Sequence, residues 1–235
     1  MKVLIIIPTL NESLNIKNLI KRINKLHSSI DILIVDDNSN DGTLEILLNI
    51  KKRKKNIQVI SRKKDKGIGS AHLCGIKYAY KKNYTICLTM DADGTHNPKN
   101  ISKMLKLIKY KNFEIINTNR FLDKKSLKDW PLIRKLITFV RYFLVKIILN
   151  TNYDSSGGFR CYNLKKIRKN HFFLKKNKNY FFLIESLFIF ENFNYKIYEI
   201  PNKLKFRSAN KSKMKFYHIL ESLLNLIKLR FRQKV

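Results

Sequence analysis

The sequence predicts an α/β protein with a mostly parallel central sheet flanked by helices. Three observations carry that expectation. Continuous apolar runs such as Val3-Leu4-Ile5-Ile6-Ile7 alternate with stretches of helical spacing, as where strands are buried on both faces by helices. The runs end in polar or acidic turns, at Asn11-Glu12, Asp36-Asp37 and Asp91-Ala92-Asp93, where an open sheet binds its ligands. No internal repeat and no Gly/Ser/Pro linker divides the chain, and 235 residues suit one domain with a short tail.

The first strand spans 3–7 and is closed by Pro8; Thr9-Leu10-Asn11-Glu12 forms a loop. Ile16, Leu19, Ile20 and Ile23 give residues 15–26 helical spacing. A second strand over 31–35 ends in Asp36-Asp37-Asn38-Ser39-Asn40-Asp41-Gly42-Thr43, and Leu44, Leu47 and Leu48 mark the next helix. After a Lys-rich, solvated helix end comes a short strand over 56–61. Gly67-Ile68-Gly69-Ser70-Ala71 then opens a helix over 71–82; such glycines either approach a phosphate or only permit a tight turn.

The fourth strand, 85–90, delivers Asp91 and Asp93. By itself this turn reads either as a helix cap or as two carboxylates at a strand mouth that share one divalent cation. Asn97-Pro98 starts a helix with Ile101, Met104, Leu105 and Ile108 on one face. A fifth strand, 113–118, is followed at the same edge by Arg120, either a solvated cation or a phosphate clamp.

Residues 130–149 are apolar, with Arg134 and Arg141 seven apart on one stripe. They form either a core helix with a wet face or a helix lying in a membrane interface. Residues 154–160 read as a polar, glycine-containing loop, and 181–190 are apolar except for Glu185 and Ser186, a carboxylate that needs a partner. A strand over 195–200, ended by Pro201 and extended by 203–207, leads to a basic loop over 207–213. Phe216, Ile219, Leu220, Leu223 and Ile227 then follow the spacing of an amphipathic helix, ringed by Lys and Arg, which either packs on the domain or docks on a membrane surface.

The balance of 49 Lys+Arg against 17 Asp+Glu, net +32, implies an anionic partner: nucleic acid, an acidic membrane or a phosphorylated substrate. Cys74, Cys87 and Cys161 are widely spaced and odd in number, which points to reduced thiols in a cytosolic protein rather than a disulfide or zinc framework. The N-terminal run is too short for a signal peptide, and no stretch offers the roughly 18 apolar residues of a spanning helix.

Several segments, in order, match one family. They are Ile7-Pro8-Thr9-Leu10-Asn11-Glu12, the 35–43 stretch, Gly67 to Ala71, Met90-Asp91-Ala92-Asp93, Arg120, Arg134, the 154–160 loop, Glu199-Ile200-Pro201, Arg207 and Ser212-Lys213. Through them residues 3–213 closely resemble the dolichol- or polyprenol-phosphate mannosyltransferases, inverting family 2 glycosyltransferases of the GT-A, Rossmann-like fold. The resemblance implies a catalytic domain over 1–213, including an amphipathic interface segment at 126–149, and a basic amphipathic helix over 214–235.

It further implies that Pro8, Leu10, Glu12, Val35 and Asp37 form the nucleotide pocket. Asp91, Ala92 and Asp93 would meet the diphosphate, and Asp91 and Asp93 a Mg²⁺ or Mn²⁺. Arg120, Arg207 and Lys213 would hold phosphates of the donor, and with Arg134 the acceptor phosphate; Asp91, Asp93, Arg120 and Arg207 are the expected catalytic set. Two departures stand out: Leu10 replaces the family's Tyr, and Gly94-Thr95 replaces its Leu-Gln or Leu-Ser, which puts a third metal ligand in doubt.

The implied reaction moves mannose from GDP-mannose to dolichyl or polyprenyl phosphate. A phosphate monoester has a second pKa of about 6, so it attacks without a strong general base, and no histidine is obviously placed to act as one. A polyprenol tail leaves a bilayer at a cost of about 0.8 kcal/mol per methylene, so the expected location is peripheral, on the cytoplasmic face of a membrane, with an integral membrane partner as some family members recruit. One rival is the same fold using a UDP-sugar. The other, a nucleic-acid-binding domain suggested by charge and by 15 Phe and 11 Tyr, is disfavoured because the aromatics fall within apolar runs and the sheet edge is acidic.

Overall fold

The computed structural model describes residues 1–123, 125–128, 130–174, 179–204 and 216–231, without the side chains of 216–223. In chain order the elements are β1 (Val3–Thr9), α1 (Ser13–Leu26), β2 (Asp31–Asp36), α2 (Thr43–Arg53), β3 (Ile57–Ser61), α3 (Ile68–Lys81), β4 (Ile86–Thr89) and α4 (Asn100–Tyr110). They continue as β5 (Ile115–Asn119), α5 (Leu132–Leu149), β6 (Arg160–Asn163), α6 (Lys169–Phe173), α7 (Phe181–Asn192), β7 (Ile197–Pro201) and α8 (Phe216–Phe231).

The strands form one 7-stranded sheet in the order β3-β2-β1-β4-β6-β5-β7. All neighbours run parallel except β6, which is antiparallel to both β4 and β5. That reversal has a functional consequence. The carboxyl ends of β1, β2, β4, β5 and β7 lie at one edge, and the segment entering β6 is brought to the same edge.

The apolar run of β1 is continuous because each face of the sheet has its own core. Val3, Ile5 and Ile7 pack with α1 residues Ile16, Leu19 and Ile23, whereas Leu4 and Ile6 pack with α3 residues Ala71, Ile76 and Ala79 and with Phe172, Leu187 and Phe190. Gly75 lets α3 lie close on β1: a methyl built there would sit 2.5 Å from Ile6 Cγ2.

Three elements depart from the sequence reading. Arg160, read as the last residue of the 154–160 loop, is instead the first residue of β6 and is wholly buried. A short α6 precedes residues 181–192, which are helix α7, buried nearly all round by Phe181, Phe182, Leu183, Ile184, Leu187 and Phe190 and so without an amphipathic period. Strand β7 includes Pro201 and stops there, so the described part of the expected extension, Lys203 and Leu204, is not strand; 205–207 lie outside the described residues.

The 18-residue α5 has one packed side and one bare side. Val145 and Leu149 join Phe181, Ile184 and the α8 residues Leu226 and Leu229 in a third apolar cluster. Its other side remains bare: Leu132 is 82% exposed, Ile133 and Ile147 75% each, and on α8 Phe231 is 81% exposed. Among the described residues no helix is long and apolar enough to cross a membrane.

Candidate active site

The pocket begins where β1 and β2 end side by side. Pro8 pairs with Val35 and Thr9 with Asp36, so the Thr9–Glu12 loop and the acidic turn are adjacent by register. Asp36 is spent on holding them together: it accepts from Thr9 Oγ1 at 3.0 Å, Ser39 N at 3.0 Å and Ser39 Oγ at 2.6 Å. Glu12 N donates to Thr43 Oγ1 at 2.8 Å, tying the same loop to the start of α2.

Asp37 faces a partner that the sequence reading missed. Arg62, just after β3, donates Nε to Asp37 Oδ1 at 2.8 Å and also reaches that oxygen through Nη2. Gly67 N donates to Asp37 Oδ2 at 2.8 Å, and Arg62 Nη1 donates to Ser70 Oγ at 3.0 Å. The glycine turn is thus anchored to Asp37. Gly67 has φ +126, a backbone that favours glycine, so the turn requires it for conformation. Leu10 is 43% exposed at the pocket rim, where an aromatic side chain would offer a stacking surface that leucine does not.

The two-Asp turn follows β4, next to β1. Ala92 is buried, and Asp91 and Asp93 are partly exposed. Thr95 donates its N at 3.0 Å and its Oγ1 at 2.7 Å to Asp93 Oδ1, so this residue orients a carboxylate. His96 is a second missed residue. Its Nδ1 accepts Asp91 N at 3.1 Å, its Nε2 lies 3.6 Å from Asp91 Oδ2, and its buried ring stacks on Phe159. The signal was its position three residues after Asp93, close enough in a tight turn to fold back.

The reversed entry to β6 supplies the bridge between strands. Thr89 Oγ1 donates to Gly158 O at 2.6 Å, and a methyl built on Gly158 would lie 2.8 Å from Asp91 Oδ1. One residue earlier, a methyl on Gly157 would lie 3.7 Å from Arg120 Nη2. The two glycines therefore occupy the gap between the β4 carboxylates and the β5 arginine. Arg120 donates Nε to buried Asp154 Oδ2 at 2.8 Å. Burial opposes ionisation of Asp154, but the Arg120 charge and hydrogen bonds from Ser156 and Arg120 outweigh it and hold the carboxyl below 3.8.

A polar network lies under this ion pair. Glu199 on β7 accepts from Asn117 Nδ2 at 2.6 Å, Asn119 Nδ2 at 2.5 Å and Asp154 N at 2.9 Å. Desolvation nevertheless raises its pKa above 4.5. Arg160 donates Nε to Asn117 Oδ1 at 3.1 Å, Nη1 to Ser186 Oγ at 2.7 Å and Nη2 to Ser155 O at 2.7 Å, which explains how a fully buried guanidinium is tolerated. Arg141 of α5 senses the same site. Desolvation first and repulsion from Arg120 second lower its pKa to about 10, against the attraction of Asp154.

Of the expected set, Pro8, Leu10, Glu12, Val35 and Asp37 lie together, Asp91, Ala92 and Asp93 adjoin them, and Arg120 is joined through 154–158. Arg134 sits at the start of α5 with its guanidinium 4.0 Å over the Trp130 ring. Arg207 and Lys213 lie outside the described residues. Among the described residues no group of three or more His, Cys, Asp and Glu forms a ready metal cage. Two carboxylates at a strand mouth fit instead a hard cation completed by substrate phosphates and water.

Comparison with known proteins gives the family and the fold. The sequence model described as "Glycosyl transferase family 2" matches residues 4–169. An undecaprenyl-phosphate mannosyltransferase of Micrococcus luteus is 27% identical over 227 residues, covering 96% of this chain and 93% of the relative. A polyprenol monophosphomannose synthase of Mycolicibacterium smegmatis is also 27% identical, covering 94% of this chain and 84% of its own. In fold, glucosyl-3-phosphoglycerate synthase from Mycobacterium tuberculosis, solved with Mn²⁺, UDP and glucosyl-3-phosphoglycerate, superposes with TM-score 0.66 at 14% identity, over 97% of this chain and 78% of that one.

Proposed function

The chain belongs to glycosyl transferase family 2 and is a glycosyltransferase of GT-A fold, and from that premise we propose that it transfers mannose from GDP-mannose to dolichyl or polyprenyl phosphate with inversion. The observation that carries the reading is the Gly157-Gly158 bridge, which sets Asp91 on one side and Arg120 on the other. A donor diphosphate at the carboxylates and an acceptor phosphate at the guanidinium would then meet across two residues without side chains. The relatives' names, undecaprenyl-phosphate mannosyltransferase and polyprenol monophosphomannose synthase, supply the sugar and the acceptor class.

The residues divide the work. Pro8, Leu10, Glu12, Val35 and Asp37 bind the nucleoside, with Arg62 holding Asp37 in place. Asp91 and Asp93 would hold a Mg²⁺ or Mn²⁺, which would supply charge neutralisation for the leaving diphosphate. Thr95 and His96 orient those carboxylates. Arg120, with Arg134, Arg207 and Lys213, holds acceptor and donor phosphates together against their repulsion. The lipid phosphate, with a second pKa of about 6, attacks as the dianion, so His96 is left to a positioning role.

The bare side of α5 and α8, flanked by exposed Lys146, Lys228 and Arg230, supports peripheral docking on an acidic membrane, cytoplasmic in this reading, with room for an integral membrane partner. The alternative donor is a UDP-sugar. Incubating the chain with polyprenyl phosphate and radiolabelled GDP-mannose, UDP-glucose or UDP-N-acetylglucosamine separates the two. Label should pass to lipid from GDP-mannose alone, and Asp93→Ala should abolish it. Transfer from a UDP-sugar overturns the donor, and near-normal activity of Asp93→Ala overturns the metal assignment.

A further inference from the structure

We propose that Glu199 is a positioning residue of this reaction: it holds the 154–158 loop in place and, through Asp154, aims the Arg120 guanidinium. The proposal rests on the reading of Arg120 as a phosphate ligand. Glu199 projects from β7, the edge strand beside β5, and all of its placed partners belong to the acceptor side of the site. Its Oε1 receives Asn117 Nδ2 and the backbone N of Asp154; its Oε2 receives Asn119 Nδ2. The backbone bond fixes the residue whose own carboxylate receives Arg120 N at 3.2 Å and Arg120 Nε at 2.8 Å.

The chain of bonds therefore runs from β7 to the Asp154 backbone, to the Asp154 carboxylate, to the guanidinium. Asn117 makes it a closed frame, because its Nδ2 also donates to Asp154 O at 2.9 Å while its Oδ1 accepts Arg160 Nε. The frame is built of donors that all point at Glu199, which demands acceptors at both oxygens. A carboxamide cannot supply them. In Glu199→Gln one oxygen could still serve Asn117 and Asp154 N, but an NH₂ would then confront the NH₂ of Asn119. Asn119 cannot turn over to relieve this, because its Oδ1 accepts Phe121 N at 2.7 Å.

The same geometry designs a rescue. With Asn119→Asp added, one new carboxylate oxygen keeps Phe121 N and the other accepts the new carboxamide NH₂, so the pattern closes with the negative charge moved one strand inward. A residue needed only for packing would not respond to that exchange.

The test measures transfer to polyprenyl phosphate by the full chain, with kcat and KM for each substrate, together with hydrogen exchange at the amides of Arg120 and Asp154. Glu199→Gln should lower kcat/KM for the lipid phosphate about 10- to 100-fold, the scale set by sub-ångström misplacement. In an Arg120→Ala background it should cost nothing further, and Asn119→Asp should restore most of the loss. Multiplicative losses in the double variant, or no recovery with Asn119→Asp, overturn the proposal.

Failure of the unsubstituted chain to transfer any sugar overturns the functional reading instead. Amide exchange then decides the hold of Glu199 by itself: the Arg120 and Asp154 amides open in Glu199→Gln and close again in the double variant if the frame is as described. If they stay protected throughout, Glu199 does not hold the loop.

Discussion

Gly158→Ala separates the site from the fold. Its φ lies outside the left-handed region, so alanine adopts the backbone without strain, and the cost is one of space. The added methyl would sit 2.8 Å from Asp91 Oδ1, with the Asp91 Cγ at 3.5 Å and Oδ2 at 3.6 Å. A carbon and an oxygen settle at about 3.3 Å or more, so the carboxylate must retreat by about 0.5 Å. That retreat is cheap for stability, because the displaced atom is the end of a partly exposed side chain. It is expensive for a metal site, where ligand distances hold to about 0.2 Å.

Mn²⁺ affinity in the presence of GDP should fall about 10- to 100-fold, which is about 1.4 to 2.7 kcal/mol, while the melting temperature of the unliganded chain stays put. Calorimetric titration of Mn²⁺ into chain plus GDP, beside a thermal melt, reads both quantities. Unchanged Mn²⁺ binding would refute the placement of Asp91 Oδ1 as a ligand, and a large drop in melting temperature would make Gly158 a residue of the fold instead.

Gly75→Ala should do the reverse: its methyl would meet three atoms of wholly buried Ile6 at 2.5 to 2.9 Å, so urea denaturation should show a loss of about 1 to 3 kcal/mol with activity per folded molecule retained. Ile133→Glu with Ile147→Glu, both at exposed positions on α5, should weaken co-sedimentation with anionic vesicles and leave the melting temperature unchanged. Deleting α8 would be a poorer test, because Leu226 and Leu229 cover Val145, Leu149, Phe181 and Ile184. Asp154 has a folded pKa held below 3.8, so its contribution is present above that value and is lost as pH falls through it toward the folded value. Glu199, raised above 4.5, acts in the opposite direction. Asp154→Asn should therefore flatten the fall in stability below about pH 4 in acid titrations followed by circular dichroism.

The parallel half of the sheet was legible because buried strands announce themselves as apolar runs ended by acidic turns. Val3 to Ile7 and Ile32 to Val35 have no competing interpretation once helices flank them. Strand β6 was not legible, since it opens on Arg160, and a buried arginine is intelligible only beside Ser155 together with Asn117 and Ser186, the last two distant in sequence. Arg62 and His96 were hidden for a related reason. Each acts by folding back on a carboxylate recognised on other grounds, Asp37 or Asp91; His96 had only its closeness to Asp93 as a signal, and Arg62, 25 residues from Asp37, had none. Glu199 stood in a matching motif without a role until the three donors around it were placed.

In the proposed reaction, helix α5 is the element that would bring the site to a substrate anchored in a bilayer. The helical period places Arg134, Thr138, Arg141 and Val145 along one side, partly or wholly buried, and Leu132, Ile133, Leu136, Val140, Phe143 and Ile147 along the other, exposed. Arg141 on the inner side lies within electrostatic reach of Arg120 and Asp154, while the outer side is apolar enough to enter the headgroup boundary. In the proposed docking, a helix of 18 residues with these two faces would fix the height of Arg120 and Arg141 above the lipid surface. Docking and catalysis then become one geometric condition. In that reading a lipid phosphate would be met at headgroup level, and the outer stripe of α5 would set whether Arg120 reaches it.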